Sequence, residues 1–318
     1  MQKILNLMLK TAKLAGDFQK QKFGQKVEIN QKSSHSDLVT EVDIISQDLI
    51  IKNLLEGMQK LGYKESEVGF LGEENFVKIG KYTFVIDPLD GTSNFATGIE
   101  FFSVIISLFV DNQLQSGVVY RSLTGHTYFA LKNQGSYKIF PSFWEDTQNN
   151  LDSLNLEQVL NQNLELAFDN KLEKVNAHNL KIQKLKIEYK PLNKILITGA
   201  FAVIRDLSKE FTRKTLGVRI IHGFGLEACL IAENITGINL GVGPKIWDIS
   251  APKLIIEEAG GIFVDYEGNT IDPSLNSNPK DTSYPGIICH PDTWKEIKDE
   301  FLILKSSNIF RKNKNLKN

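Results

Sequence analysis

The sequence predicts a mixed fold, α+β in its first half and alternating α/β in its second. Three observations carry that expectation. Apolar residues recur at helical spacing over residues 1–25 and again over 42–61. A short β-rich run at 82–86 follows them. From residue 195 onward, strand-like and helix-like stretches alternate. The 318 residues, 42% of them hydrophobic, are enough for one large domain or two packed ones. We expect one unit over 1–140 and another over 195–305. Residues 141–194, rich in Asn, Gln, Lys and Glu, form a divergent connection between them.

The elements follow in order. Ile4, Leu5, Met8, Ala12 and Ala15 share one helical face, so residues 1–25 read as an amphipathic helix. Lys10 and Lys13 interrupt the apolar stretch and argue against a secretory leader. Residues 26–36 are polar and loop-like, and 42–61 form a second helix. The run Gly69-Phe70-Leu71-Gly72 leads into the acidic pair Glu73 and Glu74. The strand at 82–86 ends at Asp87-Pro88. Residues 102–109 and 117–120 are further strands, and Gly125 sits in a hairpin turn between 118–120 and 128–131. No element can be placed within 141–193. Beyond it come a strand at 195–198, a helix around 203–214, a strand at 218–221, a helix near 226–235 and a strand at 237–240. A helix at 248–259, stopped by Gly260-Gly261, precedes strands at 262–264 and 286–289.

Composition excludes some functions. A net charge of −1 suggests no broad affinity for nucleic acid or membrane. No apolar run approaches the ~18 residues of a membrane helix. The basic stretch 305–317 reads as a solvated tail. Cys229 and Cys289 lack metal-site spacing, and such sparse usage fits a reducing cytoplasm, although a single disulfide stays open. His35, His126, His178, His222 and His290 show no ligand spacing either and are assigned structural or surface roles.

Chemistry concentrates in the segment from Asp87 to Phe95. An apolar strand delivers Asp87 and Asp90 at its exit, and Pro88 stiffens the turn between them. Gly91 permits close backbone approach, and Thr92 and Ser93 follow where a helix can start. Amides at such a start lack internal partners and favour phosphate. Hard carboxylate oxygens select Mg²⁺ rather than zinc or copper. Read alone, the segment is equally a plain turn, since Asp-Pro and Asp-Gly are common turn pairs. Three more segments bear on the choice: Glu73-Glu74 before the strand, Asp248 at the start of an apolar helix, and Asp37, Thr40, Glu41 and Asp43 before the second helix. Each, taken singly, reads as a solvated loop or an ordinary helix cap.

Together the four segments resemble the inositol monophosphatase family, a branch of the lithium-sensitive, metal-dependent phosphatases. That family shows Asp-x-Val-Thr-x-x-Asp, Gly-Glu-Glu, Asp-Pro-Leu-Asp-Gly-Thr-x-Asn-Phe, and Trp-Asp followed downstream by Glu-Ala-Gly-Gly. The matching residues here begin at Asp37, Gly72, Asp87, Trp247 and Glu258, in the family's order. The resemblance covers roughly residues 1–135 and 195–292. It implies a layered αβαβα sandwich of the inositol monophosphatase and fructose-bisphosphatase type, usually a homodimer, acting on a small phosphorylated substrate with two or three Mg²⁺ ions.

The resemblance also assigns roles. Glu73 would hold a metal and orient the attacking water, Asp87 would bridge two metals, and the Leu89 carbonyl would complete the first site. Asp90 and Asp248 would hold the second. Thr92 and Asp43 would pair to activate water. Gly91, Thr92 and Ser93 would bind phosphate through backbone amides. Lys32 would lie near the mouth of the site and Glu74 would support it. Inhibition by lithium and by excess Mg²⁺ is implied as well.

Two positions depart from the family. The acid seven residues before the Trp-Asp aspartate, which contacts sugar hydroxyls in the family, is Gly241 here, and Glu227 stands where a small residue is usual. Either the hydroxyl-binding acid has moved to Glu227, or the substrate differs. The leading expectation is a phosphatase of a small polyol or sugar phosphate, with inositol 1-phosphate as representative. Relatives cleaving 3′-phosphoadenosine 5′-phosphate, fructose 1,6-bisphosphate, NADP or histidinol phosphate are the alternatives within the enzyme class. The uncharged Ser93 after Thr92 leans toward the inositol branch. A non-catalytic regulatory protein that kept the fold would be expected to have lost a metal acid, and none is lost.

Overall fold

The apolar face expected over residues 1–25 is buried: Ile4, Leu5, Met8, Ala12 and Ala15 are shielded from solvent on helix α1 (Gln2–Lys22). The computed structural model describes residues 1–26, 29–31, 38–74, 77–146, 182–275 and 282–305. Lys32, residues 147–181 and the tail beyond 305 lie outside the described residues. Helix α2 (Glu41–Lys60) packs beside α1 and sends Ile50, Leu54 and Met58 into the same core.

Both helices cover one face of an eight-stranded sheet. Its strands are β3 (Val68–Gly72), β4 (Val77–Lys78), β5 (Tyr82–Asp90), β6 (Ser103–Val110), β7 (Gln113–Arg121), β8 (Thr127–Leu131), β9 (Gly135–Ile139) and β10 (Ile182–Lys184). Their order is β10-β9-β8-β7-β6-β5-β3-β4, with β3 and β5 parallel and the other pairs antiparallel. A small antiparallel pair, β1 (Ile29–Gln31) and β2 (Leu38–Thr40), stands apart. The central strands read as unbroken apolar runs because both faces are covered. Val104, Ile106, Val118 and Phe129 face α1 and α2, while Ile105, Val119 and Ala130 face the opposite core.

That second core is built on α7 (Phe224–Ala232) and α8 (Ile246–Glu258). The shorter helices α3 (Thr92–Thr97), α4 (Pro141–Asp146), α5 (Phe201–Ile204) and α6 (Lys209–Lys214) precede them in the chain. α8 is apolar nearly all round because it lies between two sheets. The second sheet has five strands: β11 (Leu196–Gly199), β12 (Gly217–Arg219), β13 (Ile238–Gly241), β14 (Ile262–Val264) and β15 (Gly286–Cys289), in the order β12-β11-β13-β15-β14. A third core holds Val203 of α5, Phe211 of α6, and Ile297 and Phe301 of α9 (Pro291–Lys305), together with Ile197, Leu240 and Ile287. The layers therefore run α1/α2, large sheet, α7/α8, small sheet, α5/α6/α9: the αβαβα sandwich that the sequence resemblance implies.

Several expected boundaries move for identifiable reasons. β5 does not stop at Asp87-Pro88. It continues to Asp90 across a register shift against β6, so the missing Pro88 N–H falls at a bulge. The helix expected around 203–214 is two helices, because Ser208 starts a new one by accepting the Phe211 amide at 3.0 Å. The strand expected to reach Ile221 ends at Arg219, ahead of a turn in which His222 and Gly223 both take positive φ. α8 ends at the predicted glycines in a Schellman closure: Gly261 donates to Ile256 O at 2.9 Å and Gly260, at φ +89°, to Glu257 O at 3.0 Å.

Candidate active site

The strand end of β5 organises the site. Asp87 is buried, and its Oδ1 accepts the Leu89 amide at 3.0 Å. Asp90 Oδ2 accepts the Ser103 hydroxyl at 2.9 Å and the Gly225 amide at 3.0 Å, so the start of α7 is docked onto β5. Gly91 then takes φ +93°, and a Cβ there would meet Phe101 O at 3.0 Å. Only glycine suits both requirements. The turn puts Thr92 and Ser93 at the first positions of α3.

Asp43 reaches the same loop from behind. It is the third residue of α2, where its Oδ2 accepts the Thr40 amide at 2.7 Å and the Thr40 hydroxyl at 2.6 Å. Its Oδ1 accepts the Thr92 hydroxyl at 2.8 Å, and Leu89 O lies 3.0 Å from the same hydroxyl. The capping function suspected from sequence and the pairing with Thr92 are thus both present on one carboxylate. Gln47 of α2 holds the backbone of Glu74, donating to its carbonyl at 2.9 Å and accepting its amide at 3.0 Å. Asp248 stands on the first turn of α8 as its third residue rather than its cap, and accepts the Lys245 amide at 2.6 Å.

Glu73, Asp87, Leu89, Asp90, Gly91, Thr92, Ser93, Glu227, Gly241 and Asp248 all line one cleft of about 530 Å³. Asp43 sits behind its wall, and Lys32 lies outside the described residues. Residues that sequence reasoning missed also line it, Asn239 and His222 among them. Asn239, a polar residue inside the apolar run Ile238-Asn239-Leu240, carried a readable signal. His222 carried none. Asn94 holds the cleft together: its amide reaches Phe101 O at 2.8 Å, Ile221 O at 3.0 Å and His222 O at 2.7 Å.

The electrostatics are those of uncompensated acid. Burial pushes Asp87 well above the usual carboxylate range, and Glu73, Asp248 and Asp90 push it further. Asp248 rises to about 7 through burial and then Glu73. Asp90 rises to about 6 through burial, against the pull of Ser103 and the amides at the start of α7. Asp43 is also raised by burial, although Thr40 and Thr92 oppose the shift.

Asp248 bears closely on Asp87, and Asp90 is turned to Ser103 and Gly225. Among the described residues no three His, Cys, Asp or Glu side chains form a ready-made cage. Rotating a carboxylate is a small change, whereas the cost of the buried charge persists until a proton or cation meets it. The donor set, all oxygen and mostly anionic, fits a hard divalent cation. No described helix is long and apolar enough to cross a membrane.

The model of the inositol monophosphatase family matches residues 1–308. A Methanocaldococcus jannaschii protein named fructose-1,6-bisphosphatase/inositol-1-monophosphatase is 30% identical over 246 residues, 76% of this chain and 77% of that one. Among solved structures, the extragenic suppressor protein SuhB of Bartonella henselae superposes with a TM-score of 0.69 at 21% identity, covering 94% of this chain and 98% of its own. An IMPase/NADP phosphatase solved with Mg²⁺ and phosphate superposes with a TM-score of 0.62 at 17% identity, covering 89% of each chain.

Proposed function

The chain belongs to the inositol monophosphatase family, and from that membership we propose that it hydrolyses a small-molecule phosphate monoester with Mg²⁺ as cofactor. One observation carries the reading: Asp87 and Asp90, buried, and Asp248, half-buried, line one cleft, with their pKa values raised by loss of solvent and, for Asp87 and Asp248, by acidic neighbours.

Glu73, Asp87, Asp90, Asp248 and the Leu89 carbonyl would hold two or three ions. When bound, Mg²⁺ supplies charge to cancel the dianion's repulsion and acidifies water. The protein's own groups do the positioning. Asp43 takes the Thr92 hydroxyl hydrogen, which leaves Thr92 Oγ1 with lone pairs to receive a hydrogen bond from water. The amides at Gly91, Thr92 and Ser93 open α3 toward the cleft and suit phosphate oxygens. No side-chain nucleophile is required. Inositol 1-phosphate represents the expected polyol class, and a homodimer is the assembly that goes with the reading.

A second reading arises from the SuhB-named relative, whose name points to a regulatory protein. Retention of the complete acid set in one cleft favours hydrolysis. The deciding experiment is phosphate release from a panel of polyol, sugar and nucleotide monophosphates with Mg²⁺ and with EDTA. Release that requires Mg²⁺ supports the enzyme. No release from any member of the panel transfers the weight to the regulatory reading.

A further inference from the structure

We propose that Glu227 and Asn239 form a recognition point at the floor of the cleft for two adjacent hydrogen-bond donors, a vicinal diol on the alcohol half of the substrate. The proposal rests on the phosphatase reading and deepens it.

Both residues line the cleft and both are buried, Glu227 on α7 at 3% exposure and Asn239 on β13 at 0%. The Asn239 amide has two hydrogens. One goes to Glu227 Oε2 at 2.8 Å and the other to Thr198 Oγ1 at 3.0 Å. That pairing fixes the amide's orientation, since the reverse would set its oxygen against a carboxylate. Two atoms are left over, Glu227 Oε1 and Asn239 Oδ1, buried and without a hydrogen-bond partner. The Ile221 and His222 amides lean toward the Glu227 carboxylate, and neither closes a bond to Oε1.

Buried polar atoms are almost always paired, so two unpaired acceptors on side chains bonded to one another call for a ligand. Burial raises the Glu227 carboxyl to about 7; in its ionised form both atoms are acceptors, and a phosphate dianion brings none of the hydrogens they need. The partner is therefore the other half of the substrate. One hydroxyl offers one hydrogen, so two acceptors on two side chains match two neighbouring hydroxyls. The subsite is also close to the reacting end, because the Gly225 amide on the same helix start binds Asp90. Gly199, Ala200 and Gly241 beside it are small and leave room.

The test compares kcat/KM for a cyclic polyol monophosphate, its deoxy analogue lacking one of two adjacent hydroxyls, an amine-bearing analogue and p-nitrophenyl phosphate. Hydrolysis of the aryl phosphate by the unaltered protein reports on the phosphatase reading alone. Given that activity, the diol should be preferred over the deoxy analogue by at least about tenfold. The preference should shrink toward unity in Glu227→Ala and Asn239→Ala. Glu227→Gln keeps the volume and exchanges an acceptor for a donor, and it should shrink the preference as well. An unaltered protein that cleaves the aryl phosphate without favouring the diol overturns the proposal. So does a preference for the amine, or a diol preference that survives in folded Glu227→Gln.

Discussion

The side-chain amide of Asn94 donates to the carbonyl of His222 at 2.7 Å, joining residues 128 positions apart in the chain. The same amide reaches Phe101 and Ile221, so the loop that opens α7 is tied to the helix that follows Asp90. Asn94→Ala would strand those carbonyls at a cost of about 1–3 kcal/mol. It would also release α7 from its position against Asp90. We expect a lower midpoint in urea, and a fall in kcat/KM larger than that loss of stability explains at assay temperature. Activity that simply tracks the folded fraction would show the tie to be structural only.

Asp90→Asn and Asp248→Asn are each expected to leave a folded protein with almost no turnover. A neutral amide is a far weaker Mg²⁺ ligand than a carboxylate, and losing several kcal/mol of metal stabilisation corresponds to a drop on the order of 10²–10⁴-fold. The check is steady-state phosphate release over a Mg²⁺ titration. Wild-type rates in either variant would remove that residue from the metal set.

The raised carboxylates predict an unusual dependence on pH in the metal-free protein. Their folded values, about 6 for Asp90 and about 7 for Asp248, exceed the ordinary 3.8. The stability they contribute is therefore complete below the ordinary value, and it is lost as pH rises through 6–7. In EDTA, Tm should fall between pH 5.5 and 8. Mg²⁺ should restore it, with a larger upward shift at pH 8 than at pH 5.5. A Tm in EDTA that stays flat or rises across that range contradicts the prediction.

Gly117 sets the distance between the large sheet and α8. A Cβ there would sit 2.6 Å from Ala251 Cα. Gly117→Ala should cost about 1–3 kcal/mol through overpacking. It should also weaken Mg²⁺ binding, because the displaced helix carries Asp248. Calorimetric titration against the unaltered protein measures the second effect, and unchanged stability and affinity would refute the close-packing argument.

What was legible from sequence was local. The apolar β5 run, the Gly91 turn and the Gly260-Gly261 stop each encode their conformation in a few adjacent residues, and each was readable. The four acidic segments were readable as a set, although no one of them was decisive alone. The bulge that carries β5 through Pro88 was not, because strand pairing with β6 overrides the local signal. The Asn94–His222 tie and the Glu227–Asn239–Thr198 network were not legible either. They join residues distant in the chain: Asn239 stands out within its apolar run and Asn94 within its motif, but nothing local names their partners. Strand β9 alternates polar Ser136 and Lys138 with apolar Tyr137 and Ile139, but four residues are too short a run to stand out from a turn.

Helix α8, clamped between two sheets, gives the cleft an uneven tolerance for change. Its apolar surface is shared by both neighbours, so a substitution there disturbs two cores and the Asp248 carboxylate at once. Ala200, Val242 and Gly243 line the same cleft and lie outside that core. Mutational drift can therefore rework what the cleft accepts while the acids beneath it stay put. Directed evolution confined to 200, 242 and 243 should yield folded proteins whose substrate rankings scatter widely around an unaltered metal requirement.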